Sequence, residues 1–450
     1  MKICIVCVDC LRPDHLGCYG YHKKTSPNID SIAKDSILYQ NVTAQSNWTY
    51  PSFYSLFTGR YPSVLQTVWF DQRINERFVV LPELLSGRGY HTALYSNLKI
   101  LLNQEGFGGH FNERRHILLD NEPVGAIDRF FKERENCFLL FHTAEYIHEP
   151  YCADESYVSL FLDEDIDKNT KSMSRPVEIL TARNSTGNTL RNIIGKINKR
   201  ILRISSSEIR YLLACYDAGI YYVDKLVGEI YHNLRKLGED YMFILMADHG
   251  QAFMEHNVFC HGYHVYDEIV KVPLIIDFNG SHRARIPNVI QLMDTFPTIL
   301  DLLGINIDFK INAFSTLPLL SMSDTTERIA VSEGYPFISI KDDNFKLITA
   351  YTKFENYKSL LEKLYKHQIM NSWKKNLVAK LYRFLGDRLY DLENDKEERV
   401  NVRLKNRVNH EKLRNRLKDI LNEAERDRLA SDDVDYDYEM KRQLEGLGYL

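Results

Sequence analysis

The chain has 450 residues, which is too long for one simple core and suits one large α/β domain with a smaller one beside it. Hydrophobic residues make up 44% and charged residues 26%, and the formal net charge is -4, so bulk charge does not predict a nucleic-acid-binding protein. No run approaches the ~20 apolar residues of a membrane span. We interpret the opening MKICIVCVDC as a buried strand and not as a signal peptide, and we therefore expect a cytoplasmic protein.

The predicted elements alternate between buried strands and helices along the chain. In chain order they are a strand at Ile3–Val8, helices at Ser26–Asp35, Pro51–Thr58 and Leu81–Gly87, strands at Thr92–Ser96 and Cys137–His142, a helix at Ile209–Leu237, and strands at Tyr241–Ala247 and Val272–Asp277. Such alternation predicts an α/β fold with a doubly wound central mixed sheet and helices on both faces. A smaller C-terminal α+β subdomain is expected after it.

Polar residues follow several of these predicted strands. Asp9, His142, Asp248 and His249 all lie at or just after a strand end. Ligands of open α/β sheets bind beyond the carboxyl ends of the strands, so these four side chains are expected to converge at one edge.

Two basic stretches interrupt the alternation. We place a basic insertion at 168–210 within a catalytic domain of 1–320, and a basic, aromatic, helical excursion at 353–388 within a C-terminal subdomain of 321–450. Charged runs are usually solvated faces, and we favour that interpretation for both. The alternative for 353–388 is peripheral contact with an anionic membrane or glycan.

The first three cysteines, Cys4, Cys7 and Cys10, resemble a zinc cluster at first sight. In a strand, however, Cys4 and Cys10 share one face while Cys7 takes the other, and no second cysteine pair follows at the spacing of a zinc ribbon. We therefore predict reduced, buried thiols.

Asp9, Thr49, Asp248 and His249 together form a mixed oxygen and nitrogen set suited to Mn, Zn, Mg or Ca. A bound metal lowers the pKa of a hydroxyl such as that of Thr49 and makes it a nucleophile at neutral pH. Spacing alone does not select these residues, because Thr49 is also a good helix N-cap and Asp-His-Gly is common in turns.

Several long motifs resemble the sulfatase branch of the alkaline phosphatase superfamily, in that family's order. They are DCLRPDHLGCYGY (9–21) with SPNIDSIA (26–33), WTYPSFYSLFTGRYP (48–62), ADHGQAFMEH (247–256), HGYHVYDEIVKVPLII (261–276), DTFPTILDLLGI (294–305), LYDLENDKEERVNV (389–402) and LEGLGYL (444–450).

The resemblance implies a role for each matching position. It makes Asp9, Asp248 and His249 metal ligands, and it makes Thr49 the nucleophile and a metal contact. His148 and His261 match positions that contact the transferred group or assist the leaving group, with His264 as an alternative register for His261.

Three positions depart from the sulfatase pattern. Thr49 stands where sulfatases convert a Cys or Ser to formylglycine, Phe53 replaces the Arg that supports the converted residue, and Cys10 stands where many members place a second metal-binding Asp. The site is therefore similar to Thr-nucleophile relatives without formylglycine, and phosphate esters are favoured over sulfate esters.

We expect one divalent metal ion, either Mn, Zn, Ca or Mg. The Asp-x₃-His spacing typical of two-metal relatives is matched poorly by His142, Glu145 and His148, so a second ion stays open but is not favoured. We interpret His142, Glu145 and His256 as structural residues and His148 as a catalytic one. Arg12 and Asp14 are predicted to form a structural ion pair.

The expected activity is hydrolysis or transfer of a phosphodiester or phosphomonoester through a covalent Thr49 intermediate. The partner would be a phosphorylated or sulfated small molecule, glycan or lipid head group, and no nucleic acid is expected. The alternatives are a sulfatase that works without formylglycine and an inactive protein that binds anionic glycans or lipids. The motifs do not name the natural substrate, the metal or the oligomeric state.

Overall fold

The fold was described from a computed structural model of the chain. The structure describes residues 1–65, 67, 72–163, 166, 174–238, 240–321, 327–334, 336–350, 386–427 and 432–433. Most of the basic excursion at 353–388 and the end of the chain lie outside these residues. Within them, no helix combines the length and the apolar character needed to cross a membrane.

An eight-stranded mixed sheet forms the centre of the molecule. Its strands are β1 (Lys2–Val8), β2 (Ile37–Thr43), β3 (His91–Ser96), β4 (Glu113–His116), β5 (Cys137–Thr143), β6 (Tyr241–Met246), β7 (Lys271–Phe278) and β8 (Ala284–Gln291). They lie side by side in the order β8-β2-β7-β6-β1-β5-β3-β4, and only the two pairings of β7 are antiparallel. The predicted mixed α/β sheet is confirmed.

Helices connect these strands. The longer ones are α1 (Pro27–Lys34), α2 (Thr49–Thr58), α3 (Leu81–Ser86), α4 (Pro123–Lys132), α5 (Arg175–Thr181), α6 (Gly187–Asn198), α7 (Ser206–Lys236), α8 (Thr295–Leu302) and α9 (Arg407–Arg426). Shorter α-helical turns lie at Pro62–Leu65, Glu155–Val158, Asp267–Val270 and Leu317–Leu320. The helix predicted at Ile209–Leu237 is α7, which begins at a capping box formed by Ser205 and Glu208.

A four-stranded antiparallel sheet follows the large one. Its strands are β9 (Ala330–Gly334), β10 (Phe337–Lys341), β11 (Phe345–Ala350) and β12 (Arg388–Asp391), in that spatial order. Helix α9 packs against β10 and β11. These elements supply the small C-terminal sheet that was predicted, whereas the boundary at residue 320 stays a prediction.

The core lies on both faces of the large sheet. Every residue from Ile3 to Val8 is buried, as are Tyr241–Met246 and Cys137–Thr143, so the three adjoining strands β5, β1 and β6 are covered on both sides. Cys4 and Cys7 belong to this core. All eight cysteines fall in the described residues and none forms a disulfide; six are buried, as predicted, whereas Cys18 and Cys152 are partly exposed.

The described part of the 168–210 stretch forms α5, α6 and the start of α7. Asn198, at the end of α6, receives a hydrogen bond from Phe259 N at 2.7 Å and donates one to Phe259 O at 3.0 Å. Helix α6 thereby holds the short hairpin Ala252–Phe253 and Phe259–Cys260, which leads directly to His261.

Candidate active site

The carboxyl ends of β1, β5 and β6 bring a buried polar cluster together. Asp9 follows β1, His142 lies near the end of β5, and Asp248 and His249 follow β6; all four are 0% exposed. His142 Nε2 lies 3.5 Å from Asp9 Oδ2, and His249 Nε2 lies 3.5 Å from both Asp9 Oδ1 and Asp248 Oδ2. The convergence expected from the strand ends is confirmed.

Several atoms of this cluster have no hydrogen-bond partner. They are both carboxylate oxygens of Asp9, Oδ2 of Asp248 and Nε2 of His142. Buried charged groups without partners are costly unless a ligand satisfies them. Asp9, His142 and Asp248 also offer ligand atoms that lie within 4.8 Å of one another. The cluster therefore has the oxygen and nitrogen ligand atoms that a divalent cation prefers. The positive charge of such a cation would also stabilise the carboxylate oxygens that have no partner.

The two carboxylates share one buried space, which pushes their pKa values apart. Burial raises the pKa of Asp9, but the nearby imidazole of His142 and the charges of His249 and His148 hold that pKa well below its usual value. Burial and the charge of Asp9 raise the pKa of Asp248. A bound cation would favour the ionised form of both groups.

Thr49 lies at the first turn of α2, after the carboxyl end of β2. Its Oγ1 lies 3.3 Å from His249 Nε2, and the residue is 4% exposed. The N-cap of α2 is Trp48 and makes no side-chain capping bond, so Thr49 is the first helical residue and not the cap. Its hydroxyl therefore faces the buried cluster and does not cap the N-terminus of the helix.

Phe53 lies one turn further along α2 and is 0% exposed. Its ring stacks on Phe107 at 5.2 Å and meets the edge of His142 at 5.5 Å. The position where the family pattern has an Arg is thus part of an aromatic core that packs beneath the polar cluster.

His148 and His261 lie together beside the cluster, with ring centroids 4.9 Å apart. His261 also lies 4.5 Å from the ring of His249. Burial lowers the pKa of His148, but the charges of Glu149, Asp9 and Asp248 outweigh it and raise that pKa above its usual value. Burial and the neighbouring His249 and His148 lower the pKa of His261 well below its usual value. The pair thus combines one imidazole that favours its cation with one that favours its neutral form.

The loop that carries His148 is held against α7 by a close backbone approach. A Cβ on Gly219 would lie 2.4 Å from the carbonyl oxygen of Tyr146, so only glycine fits there. This contact fixes the height of the 144–148 loop above the sheet.

His264 and Glu145 lie away from the cluster. The His264 ring stacks on Phe337 of the small sheet at 4.2 Å, and Glu145 accepts a hydrogen bond from Leu119 N at 2.5 Å. The structure thus places His261, and not His264, beside His148 and His249. Arg12 and Asp14 form the predicted ion pair at 2.6 Å, and Arg12 also contacts Glu255.

Gln251 is a site residue that sequence reasoning missed. It is 0% exposed, its Nε2 donates to Glu149 Oε2 at 2.9 Å and to Tyr151 OH at 2.6 Å, and its Oε1 lies 2.8 Å from His261 Nδ1. The only sequence signal was its place two residues after His249. Glu149 and Tyr151 lie 102 and 100 residues away in the chain, so their proximity to Gln251 depends on the fold.

Comparison with known proteins gives one family. The profile described as Sulfatase matches residues 2–305. Arylsulfatase K of Mus musculus is 29% identical over 203 residues, which cover 44% of this chain and 32% of that protein. The chain thus spans about a third of the length of this curated relative.

Solved structures resemble the whole fold at low identity. A 2-O GAG sulfatase superposes with a TM-score of 0.68 at 16% identity, covering 96% of this chain and 95% of that one. The phosphonate monoester hydrolase of Agrobacterium radiobacter superposes with a TM-score of 0.69 at 16% identity, covering 94% and 96%. At this identity the likeness concerns the fold alone.

The family profile covers most of the chain, including Asp9, Thr49, His148, Asp248, His249 and His261. The chain therefore belongs to the sulfatase family, whose members are metal-dependent hydrolases.

Proposed function

We propose that this protein is a metal-dependent hydrolase of phosphate-type esters, and that Thr49 is its nucleophile. The observation that carries the proposal is the position of Thr49 Oγ1, 3.3 Å from His249 Nε2, in a cluster where both carboxylate oxygens of Asp9 and Oδ2 of Asp248 have no hydrogen-bond partner. The chemical identity of Thr49, with Phe53 packed in the aromatic core beneath it, argues against formylglycine chemistry.

The residues that would hold the cation are Asp9, Asp248 and His249, with Thr49 as a further contact and His142 as a neighbour of Asp9. One divalent ion, whether Mn, Zn, Ca or Mg, would supply positive charge that stabilises the ionised Thr49 oxygen and the charge growing on the substrate oxygens. His249 Nδ1 lies 3.0 Å from the carbonyl oxygen of Gly250, which orients the ring so that Nε2 faces the carboxylates.

The reaction would proceed in two displacements. Thr49 Oγ would release its proton to solvent water and form a bond to phosphorus while the bond from phosphorus to the leaving oxygen breaks. His148, whose pKa is raised, donates a proton to that leaving oxygen. Water then attacks phosphorus and breaks the bond to Thr49, and the neutral His261 accepts the proton of the water. An acceptor hydroxyl in place of water would make the same site a transferase.

A second candidate is a sulfate ester hydrolase that uses Thr49 directly. It is favoured by the names of the curated relatives, which include arylsulfatase K and iduronate 2-sulfatase. One structural neighbour is titled as a complex with D-glucosamine-2-N,6-O-disulfate, so we propose an anionic sugar as a substrate class for either chemistry.

A substrate panel separates the two candidates. Nitrophenyl phosphate, bis-nitrophenyl phosphate, phenyl phosphonate esters and nitrophenyl sulfate would each be assayed with Mn, Zn, Ca and Mg. We expect phosphorus esters to be turned over faster than the sulfate ester. Hydrolysis of nitrophenyl sulfate alone would contradict the first candidate. If no ester is hydrolysed with any of the metals, both candidates fail and the protein is an inactive one that binds anions.

The nucleophile is tested by a matched pair of variants. Thr49→Ala should lower kcat/KM by roughly 10³-fold or more, because the covalent step is lost, whereas Thr49→Ser should stay within about tenfold of the wild type. Quenched samples of the wild type should carry a phosphoryl group on Thr49 by mass spectrometry. Equal activity of Thr49→Ala and wild type would exclude the proposed role.

A further inference from the structure

The segment that leads from β2 to the nucleophile lies between the small sheet and the chain that follows His261. It consists of residues 44–48, and both Ser46 and Asn47 are buried in it. The proposed reaction uses Thr49 and His261 and gives this segment no role. Its hydrogen bonds nevertheless connect those two residues through the backbone.

Asn47 makes two hydrogen bonds to the chain just after His261. Its carbonyl oxygen accepts from Gly262 N at 3.0 Å, and its side-chain Nδ2 donates to the carbonyl oxygen of His264 at 3.1 Å. Asn47 lies two residues before Thr49, and Gly262 directly follows His261. The path from the nucleophile to this histidine is therefore short and crosses a single hydrogen bond.

The turn that carries the nucleophile is bonded to the same segment. Ser52 Oγ, in the first turn of α2, donates to the carbonyl oxygen of Ser46 at 3.3 Å. Ser46 Oγ donates to the carbonyl oxygen of Glu333 at 3.0 Å, and Glu333 N donates to the carbonyl oxygen of Gln45 at 2.8 Å. The end of β9 thus runs beside residues 45–46 and holds them against the small sheet.

Gly334, the last residue of β9, packs on the carboxamide of Asn47. A Cβ at Gly334 would lie 2.3 Å from Asn47 Nδ2 and 2.5 Å from Asn47 Cγ, which is closer than non-bonded heavy atoms approach each other. The backbone of Gly334 lies in a strand and has no positive φ, so it suits alanine as well. The three atoms nearest to that Cβ all belong to the carboxamide, so an alanine would displace this group.

We propose that Asn47 is a positioning residue that fixes Thr49 relative to His261, and that the small sheet supports it through Gly334. The inference rests on the proposed function, since it concerns the geometry of the same reaction. A misplacement of about 1 Å between reacting groups can cost a factor of about 10² in rate. A side chain that prevents such a shift acts on kcat without touching the substrate.

Two variants that break the same contact test this role. Asn47→Ala removes the bond to His264 and should lower kcat by roughly 10- to 10²-fold, with KM within about threefold of the wild type, because no substrate contact is lost. Gly334→Ala keeps Asn47 but displaces its carboxamide, and it should give the same split between kcat and KM. The double variant should lose no more than the more affected single variant, because both changes break one contact.

Asn28 and Gly228 provide a control pair with the same geometry elsewhere. A Cβ at Gly228 of α7 would lie 2.7 Å from Asn28 Cγ, and Asn28 Nδ2 donates to Asp224 Oδ2 at 2.7 Å. Asn28→Ala and Gly228→Ala should lower the Tm but keep kcat within about twofold of the wild type. Thermal melts of all variants would separate a loss of kcat from a loss of stability.

Hydrogen exchange provides a measurement that needs no substrate. Because Gly262 N donates to Asn47, peptides that span residues 259–266 should exchange faster in Asn47→Ala and in Gly334→Ala than in the wild type. The same peptides should exchange at the wild-type rate in Asn28→Ala and in Gly228→Ala.

Three outcomes would overturn the proposal. They are an active wild type whose Asn47→Ala variant keeps its kcat, an equal loss of kcat in Asn28→Ala, and unchanged exchange of residues 259–266 in both test variants. The proposed function fails separately, when the wild type hydrolyses no ester. The exchange difference between wild type and Asn47→Ala then decides whether the link between the two segments stands.

Discussion

His261 and His264 are three residues apart and have different surroundings. His261 touches the rings of His148 and His249 and bonds to Gln251. His264 stacks on Phe337, and burial lowers its pKa to about 3, with the charge of Arg388 adding to the effect. His261 thus lies against His148 and His249 in the polar cluster, whereas His264 packs on the small sheet.

This difference predicts unequal effects of the same substitution. His261→Ala should lower kcat by roughly 10²-fold, since the proposed proton acceptor beside His148 and His249 is lost. His264→Ala should change kcat by only a few fold and should instead lower the Tm, because an aromatic stack is removed. Steady-state kinetics and thermal melts of both variants would check this. The opposite pattern would assign the catalytic register to His264.

At the scale of elements, α1 is tied to α7 by one buried carboxylate. Asp224 of α7 accepts hydrogen bonds from Ile29 N at 2.8 Å, Asn28 N at 3.1 Å and Asn28 Nδ2 at 2.7 Å. Two of these donors are backbone groups in the first turn of α1, which have no partner within the helix. Ser26, the N-cap residue, makes no side-chain capping bond to the helix, so the cap is supplied from another element.

Asp224→Ala should therefore cost about 1–3 kcal/mol of unfolding free energy, because buried donors lose their acceptor. Chemical denaturation would measure it. Asp217→Ala is not a suitable control, since Asp217 bonds to His15 and Tyr21. Glu229→Ala, which changes an exposed acid further along the same helix, should cost less than half as much.

The same carboxylate predicts a pH dependence. Burial raises the pKa of Asp224 to about 6, above the unfolded value near 3.8. The folded state then holds the proton more tightly, so this contribution to stability is complete below pH ~4 and is lost as the pH rises through ~6. The difference in stability between wild type and Asp224→Asn should shrink from pH 4 to pH 7. A difference that grows over this range would show that the pKa of Asp224 is lowered on folding.

At the scale of the whole molecule, a buried ionic cluster joins the small sheet to the segment that follows His261. Lys346 of β11 lies 2.7 Å from Asp267 Oδ1 and 2.8 Å from Glu398 Oε1, and its side chain is 0% exposed. Lys341 of β10 lies 3.4 Å from Asp267 Oδ2. The Glu398 side chain also accepts from Asp267 N, at 2.6 Å.

Lys346→Met should destabilise the protein by about 3–5 kcal/mol, because it leaves the buried Glu398 without its cation and leaves Asp267 with the more distant Lys341 alone. Adding Glu398→Gln should recover part of the loss, since one of those charges is then removed. Denaturation of the single and double variants would measure both terms. Additive losses would mean that the two residues do not act as one cluster.

Much of this architecture is determined by local sequence. The apolar runs of β1, β5 and β6 are continuous, because these strands are buried on both faces, and polar residues follow them. The helix predicted at Ile209–Leu237 is found at Ser206–Lys236. Strands β2 and β8 were not predicted. Their sequences, ILYQNVT and ARIPNVIQ, mix polar and apolar residues, so the hydrophobic pattern does not identify them as strands. Their parallel pairing within the sheet shows that they are strands.

The sequence by itself determined the family motifs, the alternation of strands and helices, and the placing of Asp9, Asp248 and His249 after strand ends. Only the tertiary structure decided between His261 and His264, joined Gln251 to Glu149, and brought Cys10 beside two histidines. The physical reason is distance along the chain. Periodicity reports which face of an element is buried, whereas a site made by side chains more than a hundred residues apart depends on how those elements pack.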